Sequence, residues 1–145
     1  MKFDKRKADQ INLSKRICAV GAVYKNDDAS FFRIAIESVI NQINCDFDIH
    51  LVVDGPLTDS LEEIICEYED QIFILRVSSR GLGKALNSLF EKNIYENYDI
   101  AIRFDADDIN YPSRFEKIVK TIAKNDLHLV SSYMHEINEL SEITG

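Results

Sequence analysis

Short apolar runs alternate with segments of helical periodicity from Arg16 onward, an alternation typical of β-α-β units around a largely parallel sheet. The unbroken apolar run at residues 17–24 predicts a strand that is buried on both faces. Further runs predict three more strands and, less clearly, a fifth: residues 48–54, 72–77 and 98–104, and then residues 127–133. We therefore expect one α/β domain.

Four helices are expected after the first four strands, because apolar residues recur there at helical spacing. Asp59, three residues before Glu62, is the expected N-cap of the second helix. Gly81 and Gly83 open the third helix, and Pro112 starts the fourth. The four apolar stripes begin at Phe32, Leu61, Leu82 and Phe115.

Composition agrees with one domain, since the 145 residues are 46% hydrophobic. A formal net charge of -8 argues against a general nucleic-acid partner, because phosphate backbones are bound by basic surfaces. Positive charge is concentrated in a basic arm at residues 1–15. This arm is interpreted as a solvated terminus, with attraction to an anionic membrane leaflet as the alternative.

No apolar stretch reaches the ~20 residues of a membrane span, and the polar start lacks the apolar core of a secretory signal. The chain is therefore expected in the cytoplasm, with peripheral association at the inner face of the membrane as an open alternative. Three cysteines, far apart and odd in number, indicate buried reduced thiols rather than disulfides or a zinc site: Cys18, Cys45 and Cys66.

Acidic residues gather where the predicted strands end, and ligands of open α/β sheets bind outside those carboxyl ends. Asp27 and Asp28 follow the first strand, Asp54 ends the second, and residues 105–108 (Asp-Ala-Asp-Asp) follow the fourth. Period-two geometry is expected to turn Asp105 and Asp107 to the same side, where their repulsion favours a divalent cation. Mg²⁺ or Mn²⁺ suits so few oxygen ligands. The alternative interpretation is an acidic turn that only assists the helix near Pro112.

Residues 80–84 (Arg-Gly-Leu-Gly-Lys) combine flexible backbone, two cations and a helix amino terminus, which suits a phosphate or a carboxylate. A simple turn into a helix explains this segment comparably well. Tyr24 could pack against a nucleobase or be an ordinary strand-end aromatic. The histidines lack metal-like spacing, and the two that lie in apolar runs, His50 and His128, are expected to be structural.

Four motifs together resemble family 2 glycosyltransferases of the GT-A fold: residues 22–24 (Ala-Val-Tyr), the helix at 32–42, residues 52–58 and residues 105–108. Residues 80–87 and 103–115 most resemble the amylovoran-type branch that makes bacterial surface polysaccharide. The resemblance covers about residues 16–133. It implies a partial Rossmann-like GT-A domain, a largely parallel sheet flanked by helices, that ends before the acceptor half, with residues 134–145 as a tail.

The resemblance implies metal-dependent transfer of a sugar from a nucleotide-diphosphate sugar, commonly a UDP-sugar, to a glycan or lipid-linked acceptor, with inversion. Asp107 would be the principal metal ligand, and Asp105 would lie beside the ribose or the metal. Asp54 would lie near the base or ribose. The remaining implied contacts are Tyr24 and Asn26 at the nucleotide, and Arg80, Lys84 and Asp108 at the sugar or diphosphate.

No catalytic base is assigned, because the family supplies this acidic residue from a region beyond the metal site. Two other interpretations are kept beside the transferase. One is a donor-binding module or fragment without full transfer activity. The other is a phosphoacceptor receiver domain, which is disfavoured because its acceptor aspartate should follow the third strand, where the chain has Ser78 and Ser79.

Overall fold

The computed structural model describes residues 15–78, 81–138, 140 and 142–144. Residues 1–14 of the predicted basic arm and the predicted site residue Arg80 lie outside the described residues. No helix in the described part of the chain combines the length and the apolar character needed to cross a membrane.

Four parallel strands form the sheet, in the order β3-β2-β1-β4. They are β1 (Ile17–Tyr24), β2 (Asp48–Asp54), β3 (Phe73–Val77) and β4 (Ile100–Arg103). The expected parallel α/β sheet is thus confirmed. A receiver domain has the order 2-1-3-4-5, with β1 between β2 and β3, so the strand order rules out that alternative.

Helices cover both faces of the sheet, as expected for strands that are apolar on both sides. One core packs α1 (Ala29–Ile40), α2 (Asp59–Glu67) and α4 (Arg114–Asn125) against one face. A smaller core packs α3 (Leu82–Glu91) against the other face, and a 3₁₀ helix, Ile94–Asn97, follows α3.

Two local predictions are wrong. The N-cap of α2 is Thr58, whose Oγ1 accepts the Leu61 N–H at 3.4 Å, so Asp59 is already the first helical residue. The fourth helix begins at Arg114 rather than at Pro112, because the chain first makes a turn in which the Arg114 N–H donates to the Tyr111 carbonyl at 2.9 Å.

The expected fifth strand at residues 127–133 is also absent from the structure. The chain leaves α4 through Asp126 in the left-handed conformation, with φ 51°. No described strand pairs with the segment that follows, and Leu129 is 88% exposed. Without a neighbouring strand among the described residues this run forms no ladder, and β4 is therefore an edge strand of the described sheet.

Candidate functional site

The strand order reverses direction between β1 and β4, so the loops that follow these two strands flank the switch point of the sheet, which we call the crevice. Tyr24 ends β1 and the loop after it carries Asn26 and Asp27. The second loop is the acidic loop, residues Asp105–Asp108. The charge of Asp107 acts on the Asp27 carboxyl, so the two loops lie close together. The crevice therefore gathers most of the acidic groups that were predicted to meet at this edge.

The β1–α1 loop gives its two aspartates different roles. Asp28 caps α1, because its Oδ1 accepts the N–H groups of Ser30 at 2.8 Å and Phe31 at 3.1 Å. Asp27 Oδ2 accepts the Tyr24 N–H at 2.9 Å. Burial raises the pKa of Asp27, this hydrogen bond opposes the rise, and the charge of Asp107 adds to it. Asp27 is thus a carboxyl of the crevice that was not among the predicted site residues.

The acidic loop is shaped by a turn rather than by the pleat of a strand. β4 ends at Arg103, and the Asp108 N–H approaches the Asp105 carbonyl at 3.4 Å across a turn at residues 106–107. The period-two argument for Asp105 and Asp107 is therefore wrong, because the chain is no longer extended there. The turn buries Ala106 and leaves Asp107 and Asp108 exposed.

The carboxylates of the acidic loop repel one another. Partial desolvation of the Asp108 carboxyl raises its pKa although the residue is exposed, and the charges of Asp105 and Asp107 raise it further, while Arg114 and Arg103 oppose the rise. Asp105 Oδ1 pairs with Arg103, at 2.7 Å from Nη2 and 3.0 Å from Nε. The Asp107 carboxylate has no hydrogen-bond or ion-pair partner among the described residues.

A divalent cation fits the chemistry of this donor set. Carboxylate oxygens are hard ligands, and Mg²⁺ or Mn²⁺ commonly takes only one or two of them beside waters and phosphate oxygens. Within the described residues no group of three or more ligating side chains converges as a complete metal site. A cavity of about 1080 Å³ lies beside the loop, and its lining includes Asp105, Asp107, Asp108 and Arg114.

The end of β2 is built differently. Asp54 is only 6% exposed, and its Oδ2 accepts the Gly81 N–H at 2.9 Å. Gly81 is the N-cap of α3 and has φ 83°, a conformation that favours glycine. Asp54 therefore supplies the carboxylate that the α3 cap lacks, and Lys84 lies exposed in the first turn of the same helix.

Two polar side chains, the partly buried Ser38 in α1 and the buried Gln42 just after the C-cap of this helix, hold the segment between the acidic loop and α4. Gln42 Oε1 accepts the Phe115 N–H at 2.9 Å, while its Nε2 donates to the Tyr111 carbonyl at 2.8 Å. Ser38 Oγ accepts from Asn110, at 2.9 Å from the backbone N and 3.2 Å from Nδ2. Sequence analysis missed this network, because Ser38 and Gln42 read only as polar positions of an amphipathic helix.

Two histidines were expected to be structural, and the three cysteines were expected to be buried reduced thiols. His50 is buried in β2 with its Nε2 2.9 Å from the Tyr98 hydroxyl, which confirms a structural histidine. His128 is exposed, so its predicted place in a strand is wrong. All three cysteines are free, but only Cys18 is buried, where burial raises its thiol pKa to about 12.

Curated relatives with sequence similarity are all longer than this chain. An uncharacterised glycosyltransferase of Methanocaldococcus jannaschii is 34% identical over 90% of this chain and 46% of its own length. A galactosyltransferase of Escherichia coli, named for UDP-Gal and α-D-GlcNAc-diphosphoundecaprenol, is 31% identical over 79% of the chain and 42% of its own. The amylovoran biosynthesis glycosyltransferase AmsE of Erwinia amylovora is 33% identical over 66% and 36%. The chain thus spans less than half the length of each.

Solved structures share the fold at low sequence identity. TarS of S. aureus, crystallised with UDP-GlcNAc, superposes with a TM-score of 0.59 at 15% identity, over 77% of this chain and 32% of its own. A mannosyltransferase of Pyrobaculum calidifontis, in complex with GDP-Man and Mn²⁺, gives 0.56 at 15% identity, over 81% and 37%. These likenesses support the GT-A architecture of the described domain.

The family model named "Glycosyl transferase family 2" matches residues 20–143, which is most of the chain. The matched region contains all four strands except the first residues of β1, together with both loops of the crevice. The chain therefore belongs to glycosyl transferase family 2.

Proposed function

We propose that this protein transfers a sugar from a nucleotide-diphosphate sugar to a glycan or lipid-linked acceptor in the synthesis of bacterial surface polysaccharide. The observation that carries the proposal is the meeting of Asp27 with the acidic loop at the switch point of the sheet. Carboxylates that repel one another in an open crevice suit a site whose ligand brings a cation.

The donor is proposed to be a UDP-sugar. The name of the Escherichia coli relative contains UDP-Gal, and TarS was crystallised with UDP-GlcNAc, although the mannosyltransferase carries GDP-Man. Tyr24 at the end of β1 and Asn26 in the loop that follows would border the nucleotide. Asp54 would lie near the base or the ribose. Lys84, with Arg80 outside the described residues, would help to place the diphosphate or the sugar together with Asp108.

Mn²⁺ or Mg²⁺ is the proposed cofactor, and Asp107 is its proposed principal ligand with Asp105 as the second. Asp105 engages Arg103 through one carboxylate oxygen, Oδ1, whereas Asp107 is exposed at the turn. When bound, such an ion stabilises negative charge on the departing diphosphate. The mannosyltransferase complex that holds GDP-Man also holds Mn²⁺, which supports a divalent ion in this fold.

The acceptor and the stereochemistry complete the proposal. The diphosphoundecaprenol in the name of the Escherichia coli relative supports a lipid-linked acceptor, and hence a location at the cytoplasmic face of the membrane. Inverting transfer requires a base that takes the acceptor hydroxyl proton. We assign that role to no residue of this chain.

Titration calorimetry and thermal unfolding with UDP test the donor and cation site. We expect UDP to stabilise the chain only with Mn²⁺ or Mg²⁺, by ~2.7 kcal/mol at a hundredfold excess over its dissociation constant. Asp107→Ala should abolish this stabilisation. Asp46→Ala, which removes an exposed carboxylate just before β2 and away from the carboxyl ends of the strands, should leave it intact.

A stabilisation that survives in Asp107→Ala would contradict the assignment of the cation site. Product analysis with sugar nucleotides and lipid-linked acceptors then tests transfer itself. Binding of UDP without any turnover would favour a donor-binding module over a complete transferase.

A further inference from the structure

One side chain ties together the two ends of the acidic loop. Arg114 Nη1 donates to the Arg103 carbonyl at 3.2 Å and to Asn110 Oδ1 at 2.9 Å. Arg103 is the last residue of β4 before the loop, and Asn110 lies two residues beyond its end. The guanidinium group therefore closes the loop across its base.

The guanidinium group is itself held in place. Its Nε lies 3.4 Å from Ser132 Oγ, and its central carbon lies 5.7 Å from the centre of the Phe115 ring. Burial lowers the pKa of Arg114, while the charges of Asp108 and Asp105 raise it. Arginine stays protonated in proteins, so a positive charge faces the carboxylates of the loop.

The hydrogen bonds continue from Asn110 to helix α1. Asn110 receives Arg114 through Oδ1 and is anchored to Ser38 of α1 through its backbone N and its Nδ2. Asn110 is 7% exposed, so these hydrogen bonds are shielded from water. A chain of hydrogen bonds thus runs from α1 through Asn110 and Arg114 to the end of β4.

We propose that Arg114 is a positioning residue for the cation site: it fixes the acidic loop in the shape that presents Asp107 and is more than a counter-charge to the carboxylates. This inference rests on the proposed function, because the loop is the proposed cation site. The planar guanidinium group of Arg114 reaches two acceptors in fixed directions, which the single ammonium group of lysine cannot reproduce.

A charge-balancing role and a positioning role of Arg114 predict opposite effects on cation binding when this side chain is removed. If Arg114 only offset negative charge, removing it would leave the loop more negative and would strengthen cation binding. If Arg114 positions the loop, removing it releases the loop from β4 and weakens cation binding. Residues that orient metal ligands typically contribute 10–100-fold to metal affinity.

The experiment measures Mn²⁺ binding by electron paramagnetic resonance, and UDP binding by calorimetry, in Arg114→Ala and Arg114→Lys. We expect both variants to bind Mn²⁺ about tenfold more weakly than the wild-type chain. Arg103→Ala is the matched control, since it removes a guanidinium group that pairs with Asp105 but donates to no backbone carbonyl among the described residues. This control should bind Mn²⁺ as tightly as wild type or more tightly.

Hydrogen exchange of the loop amides without any ligand provides an independent measurement. Arg114→Ala should speed exchange at residues 105–110, and Arg103→Ala should not. Ser38→Ala is the milder variant if Arg114→Ala does not fold, and it should act in the same direction because it releases Asn110.

Unchanged or tighter Mn²⁺ binding in Arg114→Ala, or full wild-type binding in Arg114→Lys, would overturn the positioning role. A wild-type chain that binds neither Mn²⁺ nor UDP would instead defeat the proposed function. In that case the exchange rates of the loop amides still decide whether Arg114 positions the loop.

Discussion

Asp54 and Asp107 both lie at the carboxyl ends of the parallel strands, yet their surroundings are opposite. Asp54 is 6% exposed and accepts the Gly81 N–H. Asp107 is exposed, and its charge raises the pKa of Asp27 and of Asp108. The first carboxylate stabilises the protein by capping α3, and the second adds repulsion to a crowded loop. Of these two aspartates, Asp54 thus contributes to the fold whether or not a ligand is bound, and Asp107 does not.

The path that the chain takes after β2 and after β4 causes this difference. After β2, Gly55 turns the chain with φ 86°, and its N–H donates to the Val77 carbonyl at 2.9 Å, which keeps the end of β2 beside the end of β3. After β4, Phe104 is buried and the following turn directs Asp107 outward. A helix start therefore faces Asp54, and the open crevice faces Asp107.

Gly21→Ala should have the largest effect, because it disturbs the packing beneath the acidic loop and leaves the Asp54 side intact. A Cβ at Gly21 would lie 2.5 Å from two carbons of the Phe104 ring, and β1 and the ring are both in the core. We expect the free energy of unfolding to fall by about 2 to 3 kcal/mol in urea denaturation. Gly83→Ala is the control, since a Cβ there meets nothing within 4 Å.

A double variant checks the cause. Phe104→Leu shortens the ring that the new methyl group would meet, so Gly21→Ala combined with Phe104→Leu should cost less than the sum of the two single variants. Strict additivity would mean that Gly21 and Phe104 do not compete for the same space.

Asp54→Ala should have the next largest effect, on stability even when no ligand is present. Losing the acceptor for the Gly81 N–H should lower the free energy of unfolding by about 1 to 2 kcal/mol. Asp54→Asn keeps an oxygen acceptor and should lose about half of that or less. Hydrogen exchange at the Gly81 amide should speed up in the alanine variant; if it does not, Asp54 is no cap of α3.

Asp107→Asn should have the smallest effect on stability, and in the opposite direction. Removing a charge from a group of mutually repelling carboxylates should raise the free energy of unfolding by roughly 0.5 kcal/mol or less in metal-free buffer. The gain should shrink at high salt, because screening weakens the repulsion that it relieves. A clear loss of stability would mean that Asp107, like Asp54, serves the fold.

The sequence predicted the architecture well because its signals are local. Apolar runs and helical stripes recur at periods set by backbone geometry, so the first four strands and four helices were found with small errors at their ends. Placing Asp54 and the acidic loop at one edge needed only the rule that parallel strands share a direction. The errors lie where a local pattern permits two answers, as with Thr58 and Asp59 as N-caps of α2.

The apolar run at residues 127–133 shows the limit of such patterns. Its composition suits a strand, but a strand requires a partner, and no described strand lies beside it. Likewise, Ser38, Gln42 and Asn110 are unremarkable polar residues until the fold brings α1 against the start of α4. Their hydrogen bonds join residues about 70 positions apart, which no short-range period can reveal.

The sequence by itself determined the order of strands and helices along the chain and the parallel sheet, because these follow from hydrophobic periodicity and chain direction. It also determined that acidic residues gather at the carboxyl ends of the strands. The tertiary structure decided which carboxylate is buried, which is exposed, and which side chains hold the acidic loop. Those outcomes depend on contacts between distant segments, and the free energy of a carboxylate is set by the groups that surround it in space.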